Sequence, residues 1–330
     1  MTDTPHDQAA EDRARQEDAE NRAGFAAVIG APNAGKSTLV NRLVGSKVSI
    51  VTRKVQTTRF PVRGVVMHGK AQIVLVDTPG IFKPRRRLDR AMVASAWGGA
   101  EDADAVVHLV DAASEIAVRS KEGATAADRR CSDDTQTIIE ALKASGHKVI
   151  LALNKIDLLK RDQLLALTDA LFESGVYSEV FMISAEKGSG VEDLKARLAE
   201  LMPVGHWLYP EDQSADVPIR VLASEITREK LYLRVHEELP YAAAVETTSF
   251  EEKPDGSARI EQTIYVERES QRPIVLGKGG QTVKWIGQKA REELAEILDR
   301  PVHLFLHVKV NERWTEDRAL YAQFGLEFDA

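Results

Sequence analysis

The sequence Val-Ile-Gly-Ala-Pro-Asn-Ala-Gly-Lys-Ser-Thr, residues 28–38, decides the fold of the first part of the chain. An apolar run at residues 25–29 leads into it, and apolar residues at helical spacing follow at residues 39–44, before Gly45. This pattern predicts a strand, a glycine-rich loop and a helix in succession. The alternative is a chance glycine turn before an ordinary helix. The strand and the helix that must flank a phosphate loop are both predicted here, which argues against that alternative.

The loop contains the residue types that bind a phosphate chain. Gly30 and Gly35 allow successive backbone amides to face phosphate oxygens, and the N-terminus of the following helix adds a favourable dipole. The Lys36 ammonium would reach the β- and γ-phosphates, and the Ser37 hydroxyl would ligate Mg²⁺. We therefore predict nucleotide binding by the consecutive residues Gly30, Ala31, Pro32, Asn33, Ala34, Gly35, Lys36, Ser37 and Thr38.

The composition is typical of a soluble protein with two domains. The chain has 330 residues, of which 43% are apolar and 29% charged, and its single cysteine, Cys131, excludes an internal disulfide. No run reaches the roughly 18 apolar residues that a membrane span requires, and the polar N-terminus predicts no signal peptide. The net charge of −7 does not itself indicate a nucleic-acid partner, but a global sum hides local basic patches.

Composition shifts divide the chain into four parts. Residues 1–23 are rich in acids and poor in large apolar side chains, which predicts a disordered acidic tail, with a solvated helix as the alternative. Residues 24–203 form the first predicted domain and residues 217–330 the second. Residues 204–216 are aperiodic and predict a linker, which we expect to pack through its aromatic side chains.

Strand and helix patterns alternate in the first domain. Residues 62–67 and 73–76 predict a hairpin, because two alternating runs flank a short turn. The remaining elements are strands at residues 105–110, 149–153 and 180–183 and helices at residues 135–144, 163–172 and 191–201. This order predicts an α/β fold with a doubly wound, mostly parallel sheet, whose ligands bind at the carboxyl ends of the strands.

A second motif ends the hairpin. The sequence Asp77, Thr78, Pro79, Gly80 follows the phosphate loop by about 40 residues, the spacing expected for a magnesium carboxylate on a neighbouring strand. The Asp77 carboxylate would hold Mg²⁺ through water, and the Gly80 amide would meet the γ-phosphate. An aspartate that opens a Pro-Gly turn is the alternative.

A third motif predicts recognition of the base. Asn154, Lys155, Ile156 and Asp157 close a predicted strand. The Asp157 carboxylate can accept two hydrogen bonds from guanine, whereas adenine would leave its charge unpaired. Asn154 would brace the pocket and the Lys155 stem would cover one face of the base. At the next strand end, Ser184 and Ala185 are suited to donating a backbone N–H to guanine O6. A capping turn is the alternative for the Asn-Lys-x-Asp motif.

In this order, the motifs of the first 203 residues resemble a translation-factor-class GTPase domain. The resemblance implies GTP and GDP as ligands, Mg²⁺ as cofactor, and a switch threonine that closes over Mg²⁺. Residues 53–59 resemble the switch I of the Era family, and we prefer Thr58 over Thr57 as the magnesium ligand. The residues assigned to catalysis are Lys36, Thr58, Asp77 and Gly80.

Two positions bear on hydrolysis. The glutamine that orients the attacking water in Ras-like proteins is replaced here by Ile81, so we expect water to be positioned differently. Asn33 matches the asparagine that helps hold a K⁺ ion in related GTPases, with a plain turn residue as the alternative. Residues 113–134 depart from the family, and we predict a mobile surface insertion there.

The second domain has its own glycine loop. The predicted order is helix, strand, strand, short helix, Gly-Lys-Gly-Gly loop, helix and strand, which resembles a type II KH domain. Such a loop lets a nucleic-acid backbone approach closely. A helix-to-helix turn would be the simplest interpretation of the loop alone. The predicted RNA-binding residues are Gly277, Lys278, Gly279, Gly280, Lys284, Arg268 and Arg272, a local basic patch in an acidic chain.

The two domains together resemble the Era family of ribosome-assembly GTPases over residues 24–330. Residues 224–230, 238–241 and 301–304 add to the resemblance. It implies a monomer that binds 16S ribosomal RNA near its 3′ end, assists maturation of the 30S subunit and couples it to cell growth. It further implies a cytoplasmic protein peripherally associated with the inner membrane. The alternatives are a GTPase for tRNA modification or large-subunit assembly, and a membrane-associated switch whose second domain binds protein.

Overall fold

The computed structural model describes residues 21–52, 54, 57–120, 123–235, 239–323 and 325–330. The chain divides into two compact units. The first contains the described parts of residues 1–49, 60–85 and 92–216, and the second contains those of residues 50–59, 86–91 and 217–330. Most of the predicted tail, together with Arg53, Val55, Gln56 and Glu238, lies outside the described residues.

A seven-stranded sheet forms the centre of the first unit, and its strands are β1 (Arg22–Ile29), β2 (Val62–His68), β3 (Ala71–Asp77), β4 (Ala105–Asp111), β5 (Val149–Asn154), β6 (Tyr177–Met182) and β7 (Ala215–Asp216). Their order is β6-β5-β4-β1-β3-β2-β7, with the first five parallel and β2 and β7 antiparallel to their neighbours. The predicted α/β fold with a mostly parallel sheet is confirmed, including the β2–β3 hairpin.

The helices that pack with this sheet are α1 (Lys36–Val44), α2 (Arg87–Glu101), α3 (Ala112–Ser120), α4 (Ala126–Ser145), α5 (Arg161–Phe172) and α6 (Val191–Leu201). The start of α2 groups with the second unit. Apolar side chains of α4 and α5, such as Ile138, Leu142 and Leu167, join β1, β4 and β5 in one buried core. This core holds the strands in place, and it therefore also fixes where their carboxyl ends lie, at the edge of the sheet where ligands bind.

The sequence pattern does not predict helix α2, and three further segments differ from the sequence-based expectation. The first strand begins at Arg22, whose side chain donates to the Met202 carbonyl at 2.7 Å, so the last residues of the predicted tail belong to the sheet. Strand β6 begins at Tyr177 rather than residue 180, because polar Ser178 and Glu179 on this edge strand interrupt the apolar run. The described residues of the predicted mobile surface insertion, 113–134, are mostly helical, in α3 and the start of α4.

The predicted linker is packed rather than free of contacts. Trp207 Nε1 donates to the Lys70 carbonyl at 3.1 Å, and the Gln72 side chain accepts from the backbone amides of Leu208 and Tyr209. Strand β7, at the end of this segment, pairs with β2. The segment therefore ends as part of the first unit, and the second unit resumes at Val217.

The second unit contains α7 (Ile219–Arg234), β8 (Ala243–Glu252), β9 (Ala258–Val266), α8 (Arg272–Leu276), α9 (Gln281–Ile297), β10 (Val302–Val310) and α10 (Arg318–Gln323). Its sheet has the order β10-β9-β8, with β8 antiparallel and β10 parallel to β9. The helices bury apolar faces against one side of this sheet, through residues such as Leu231, Ile286 and Leu294. The predicted order of elements is confirmed from α7 to β10, although α7 begins at Ile219 whereas the apolar spacing predicts a helix from residue 223. Helix α10 follows β10 and is not predicted by the sequence pattern.

None of the helices in the described parts of the chain is both long and apolar enough to cross a membrane.

Candidate nucleotide site and second glycine loop

The phosphate loop closes around its own lysine. Lys36 is buried, and its Nζ donates to the carbonyl oxygens of Gly30 at 3.0 Å and Ala31 at 2.9 Å. Burial lowers the pKa of Lys36 to about 8, and the nearby Asp77 carboxylate opposes part of that shift. A buried ammonium that has two neutral carbonyls as acceptors is stabilised further by a phosphate anion.

Backbone conformation shapes this loop. Gly35 has a φ of +103°, and Asn33 is a non-glycine residue in the left-handed region at +64°. A methyl group on Gly30 would lie 2.4 Å from the Leu109 carbonyl oxygen, and one on Gly35 would lie 2.3 Å from Nδ2 of Asn154. Glycine is therefore required at both positions by neighbouring protein atoms, before any ligand is considered.

The Asp-x-x-Gly motif lies directly beside the loop. Strand register pairs Asp77 with Val28, and the Thr78 hydroxyl donates to the Val28 carbonyl at 2.8 Å. A methyl group on Gly80 would lie 3.0 Å from the backbone of Pro32. The next amide, that of Ile81, donates to the Gly30 carbonyl at 3.1 Å. These contacts place the buried Asp77 carboxylate in the same site as the phosphate loop.

Asn154, in the third motif, contacts both the phosphate loop and Ala185. Its Nδ2 donates to the Ala34 carbonyl at 2.8 Å, and its Oδ1 accepts from the Ala185 amide at 2.9 Å. Both bonds are buried, which fits the bracing role predicted from the sequence. Because the Ala185 amide already donates to Asn154, a bond to guanine O6 requires that amide to share its hydrogen between two acceptors.

The remaining base-recognition residues lie on one short stretch. Lys155 has a φ of +67° and precedes the single 3₁₀ turn of residues 156–158, in which Asp157 is exposed. The Ile156 amide donates to the Ile183 carbonyl at 3.3 Å, and Ser184 Oγ accepts from the Lys187 amide at 3.1 Å. The carboxylate of Asp157 is thus accessible next to the Asn154 brace.

Two side chains support this site without having been predicted. Arg42, on α1, donates to the backbone carbonyls of Ala185 and Glu186 and so anchors the loop after β6 to the helix that follows the phosphate loop. Asp111, at the end of β4, bonds Lys155. The position of Asp111 after an apolar strand is the same signal that identified Asp77, whereas the sequence contains no signal for Arg42.

The predicted switch residues Thr57 and Thr58 group with the second unit, not with the phosphate loop. Within that unit, Arg228 on α7 donates to the Thr57 carbonyl. The buried Arg59 guanidinium donates to the Ala243 carbonyl at 2.9 Å and to the Tyr232 hydroxyl at 3.0 Å. The described part of this segment is therefore held by α7 and the start of β8, and the magnesium role of Thr58 stays a prediction.

The second glycine loop connects α8 to α9. Gly277, Gly279 and Gly280 all have positive φ, at 74°, 61° and 77°. Lys278 and Lys284 are exposed, as are Arg268 and Arg272 on the approach to the loop. Ile274, on α8, is an exposed apolar residue beside these cations, at 55% of its full accessibility. All the predicted RNA-binding residues therefore lie at or near one accessible loop of the second unit.

Comparison with known proteins matches a different family model to the stretch around each glycine loop. Residues 25–155 match the family model described as a 50S ribosome-binding GTPase, and residues 238–315 match the KH domain model. A protein from Caulobacter vibrioides named GTPase Era is 71% identical over 93% of this chain and 97% of its own length. A protein from Rhizobium meliloti, also named GTPase Era, is 54% identical over 99% of this chain and 98% of its own length.

The chain belongs to the Era family of GTPases.

Two solved Era structures have the same fold over nearly the whole chain. A variant of Aquifex aeolicus Era, with one tyrosine replaced by alanine and bound to GDP and AlF4⁻, is 37% identical, covers 92% of this chain and 99% of its own, and superposes with a TM-score of 0.80. Era in complex with MgGDPNP and nucleotides 1506–1542 of 16S ribosomal RNA has a TM-score of 0.81 at 37% identity, over 93% and 99% of the two chains. These matches confirm the predicted family and the predicted P-loop and KH domains.

Proposed function

We propose that this chain hydrolyses GTP to GDP and phosphate in its first unit and binds 16S ribosomal RNA through the KH domain of its second unit. The observation that carries the nucleotide assignment is the Asn154 side chain. It bonds both the phosphate loop and the Ala185 amide, so base-recognition and phosphate-binding residues form one site. The solved Era complex with MgGDPNP and 16S RNA supports the same pair of ligands.

The residues present fit a magnesium ion. Asp77 is fully buried at the end of β3, and Ser37 follows the loop lysine. A carboxylate and a hydroxyl are hard oxygen ligands, which Mg²⁺ prefers together with waters and phosphate oxygens. Ser37 would ligate the ion directly, Asp77 through water, and Thr58 after switch closure. When bound, the ion would neutralise charge that develops on the phosphates during hydrolysis.

The chain itself supplies the remaining chemistry. Lys36 stabilises the β- and γ-phosphates, and the Gly80 amide donates to the γ-phosphate. Ile81 is buried and apolar, so it cannot orient the attacking water, which must be ordered by backbone groups or by ions. Asn33 is exposed at the edge of the loop, where its side chain is available to a K⁺ ion near the phosphates.

Guanine specificity rests on Asp157 and is tested by Asp157→Asn. The amide can donate to the extra oxygen of xanthine but cannot accept both guanine protons. We expect GTP affinity to fall by roughly 10⁴-fold and the affinity for xanthosine triphosphate to rise. Binding of both nucleotides to wild type and variant, with thermal melting as the control for folding, measures the exchange. GTP affinity within a few-fold of wild type would contradict the assignment.

We further propose a role in maturation of the 30S subunit, linked to cell growth, for which the second glycine loop would supply the RNA contact. Exposed glycine backbone and flanking cations suit single-stranded RNA, whose phosphates must come close to the loop. The family-model description names the 50S subunit, whereas the solved Era complex contains 16S RNA. Co-sedimentation of the protein, loaded with a GTP analogue, with purified 30S subunits, 50S subunits or vesicles separates these options. We expect 30S binding; exclusive 50S binding would favour large-subunit assembly.

The same measurement addresses location. The proposal places a monomeric protein in the cytoplasm, with peripheral association at the inner membrane. Binding to anionic vesicles that is lost in high salt would support peripheral association, because screening weakens exposed charge contacts. Binding to vesicles without binding to either ribosomal subunit would instead favour a membrane-associated switch.

A further inference from the structure

Residues 113–134, which the sequence predicts to depart from the GTPase pattern, connect to the base-recognition motif through one carboxylate. Asp111 closes β4 and lies opposite Asn154 in the strand register. Its side chain is almost completely buried, with 7% of its surface exposed. A buried carboxylate requires compensating donors, so each oxygen of Asp111 identifies a contact that the fold depends on.

One oxygen of Asp111 caps helix α3. Oδ1 accepts from the backbone amides of Ala113 at 3.1 Å and Ser114 at 3.2 Å, the second and third residues of that helix. This is the usual geometry of a helix N-cap, and the negative charge is favourable at a helix N-terminus. The two bonds fix the orientation of the carboxylate and thereby the direction of its second oxygen.

The second oxygen holds the lysine of the base-recognition motif. Oδ2 lies 2.5 Å from Nζ of Lys155, whose side chain is one-third exposed. A lysine has four rotatable side-chain bonds, and without a fixed partner its stem would sample many rotamers. The ion pair restricts the stem before a nucleotide arrives, so less freedom is lost on binding.

The connection continues into the departing segment. Ser114 is buried, and its Oγ donates to Oδ1 of Asp128 at 2.8 Å. Asp128 forms a capping box with Thr125 at the start of α4, and the bonds from Thr125 and Ser114 lower the pKa of its carboxyl. The route Lys155, Asp111, Ser114, Asp128 therefore ties two helix starts to the nucleotide site.

We infer that Asp111 is a positioning residue for guanine-nucleotide binding, oriented by helix α3 and braced through Ser114 by its bond to Asp128. The inference rests on the proposed function, since it takes the Lys155 stem to cover the base. Asp111 itself acts through Lys155. The segment would thus contribute to nucleotide affinity without donating a ligand.

The decisive variant is Asp111→Asn. Asparagine caps helices as well as aspartate does, so α3 should remain intact, whereas the loss of charge releases Lys155. We expect KM for GTP to rise about ten-fold, because hydrogen bonds to charged groups are the stronger ones. The kcat should stay within two-fold, since the base lies away from the reacting phosphates and its contacts do not change in the transition state. The melting temperature should match wild type.

Matched variants separate positioning from folding. Asp169→Asn makes the same change at an exposed aspartate on α5 and should leave KM unaltered. In a Lys155→Met background, Asp111→Asn should cause no further rise in KM, because the two residues act as one unit. Ser114→Ala should raise KM about two- to three-fold, since it keeps the cap but loosens it.

A KM in Asp111→Asn that equals the wild-type value would overturn the positioning role. So would a rise in KM that is accompanied by a lower melting temperature and that adds to the effect of Lys155→Met. An unaltered KM in Ser114→Ala would overturn the extension of this role to residues 113–134. Failure of this inference is distinguishable from failure of the proposed function, because Asp157→Asn tests base recognition independently of Asp111.

Discussion

The two glycine loops of this molecule use glycine for different physical reasons. At Gly30 and Gly35 an added methyl group would lie 2.4 Å and 2.3 Å from protein atoms, so the space is already filled by the fold. At Gly279 and Gly280 no heavy atom lies within 4 Å of that position, although both residues have positive φ. The first loop is built into a core, whereas the second presents bare backbone to its surroundings.

The same two reasons for glycine occur together within the second loop, as Gly277 shows. A methyl group there would lie 2.2 Å from the Thr282 hydroxyl, so this glycine is required by packing as Gly35 is. The first glycine of the second loop therefore maintains its shape, and the last two keep its surface accessible. The reason for glycine at each position therefore depends on the atoms that surround it in the folded chain.

The largest effect that this comparison predicts is for Gly35→Ala. The overlap with Asn154 and the left-handed φ together should cost about 3 kcal/mol or more in the free energy of unfolding, and GTP binding should fall below detection. Gly279→Ala is the matched control and should cost only about 1 kcal/mol, from backbone conformation alone. Chemical denaturation and GTP titration of both variants measure the contrast. Equal destabilisation would remove the distinction between the loops.

The next largest effect concerns ligand selection by the second loop. Replacing Lys278 and Gly279 by aspartate should abolish binding to single-stranded 16S RNA, because two carboxylates repel phosphates and the new side chain blocks backbone approach. GTP affinity should not change. Lys36→Ala should do the reverse, weakening GTP binding while RNA affinity is retained. Normal RNA binding by the loop variant, with unchanged melting, would favour a protein-binding second domain.

A third prediction extends the comparison to the strands beneath the first loop. His108 on β4 pairs in register with Ile29, the residue before Gly30, and its Nδ1 bonds the Tyr177 hydroxyl at 2.9 Å. Burial, and secondarily the Lys36 charge, lower the pKa of His108 to about 3. The unfolded chain therefore takes up a proton below pH 6.5 that the folded chain does not, and stability is lost as the pH falls from 6.5 towards 3.

By pH 4 this loss should reach about 3 kcal/mol in the free energy of unfolding. His108→Gln retains a polar partner for Tyr177 but cannot be protonated, so its stability should fall less steeply over the same range. Denaturant unfolding at a series of pH values compares the two proteins. Parallel curves for wild type and variant would show that another group dominates the acid sensitivity.

The smallest expected effect is the dependence of hydrolysis on the monovalent cation. If Asn33 holds K⁺ at the first loop, exchange of K⁺ for Na⁺ should slow GTP hydrolysis, and Asn33→Ala should remove the difference between the salts. Ile81→Ala should slow hydrolysis far less than removal of a catalytic charge. RNA binding by the second loop should not distinguish these cations. Identical hydrolysis rates in both salts would contradict the K⁺ role and leave the nucleotide site unaffected.

Sequence reasoning succeeded where local chemistry carries the signal. Hydrophobic period and turn residues identified the β2–β3 hairpin, helix α6 and strands β9 and β10, since each is specified by its own residues. It was least accurate where tertiary contacts decide the structure. Residues 113–134 are small and polar, and their helices depend on the Asp111 cap and the Thr125 capping box as well as on propensity.

The sequence alone determined the α/β and KH-type architecture and the motif residues of both glycine loops, because spacing and residue chemistry are written along the chain. Only the tertiary structure decided which distant groups support those motifs. It brought Asn154 to Ala34 and Arg42 to the Ala185 carbonyl, at separations of 120 and 143 residues. It likewise joined Lys155 to Asp111. Such pairings follow from strand order and register, which depend on the packing of the whole sheet and not on any single segment.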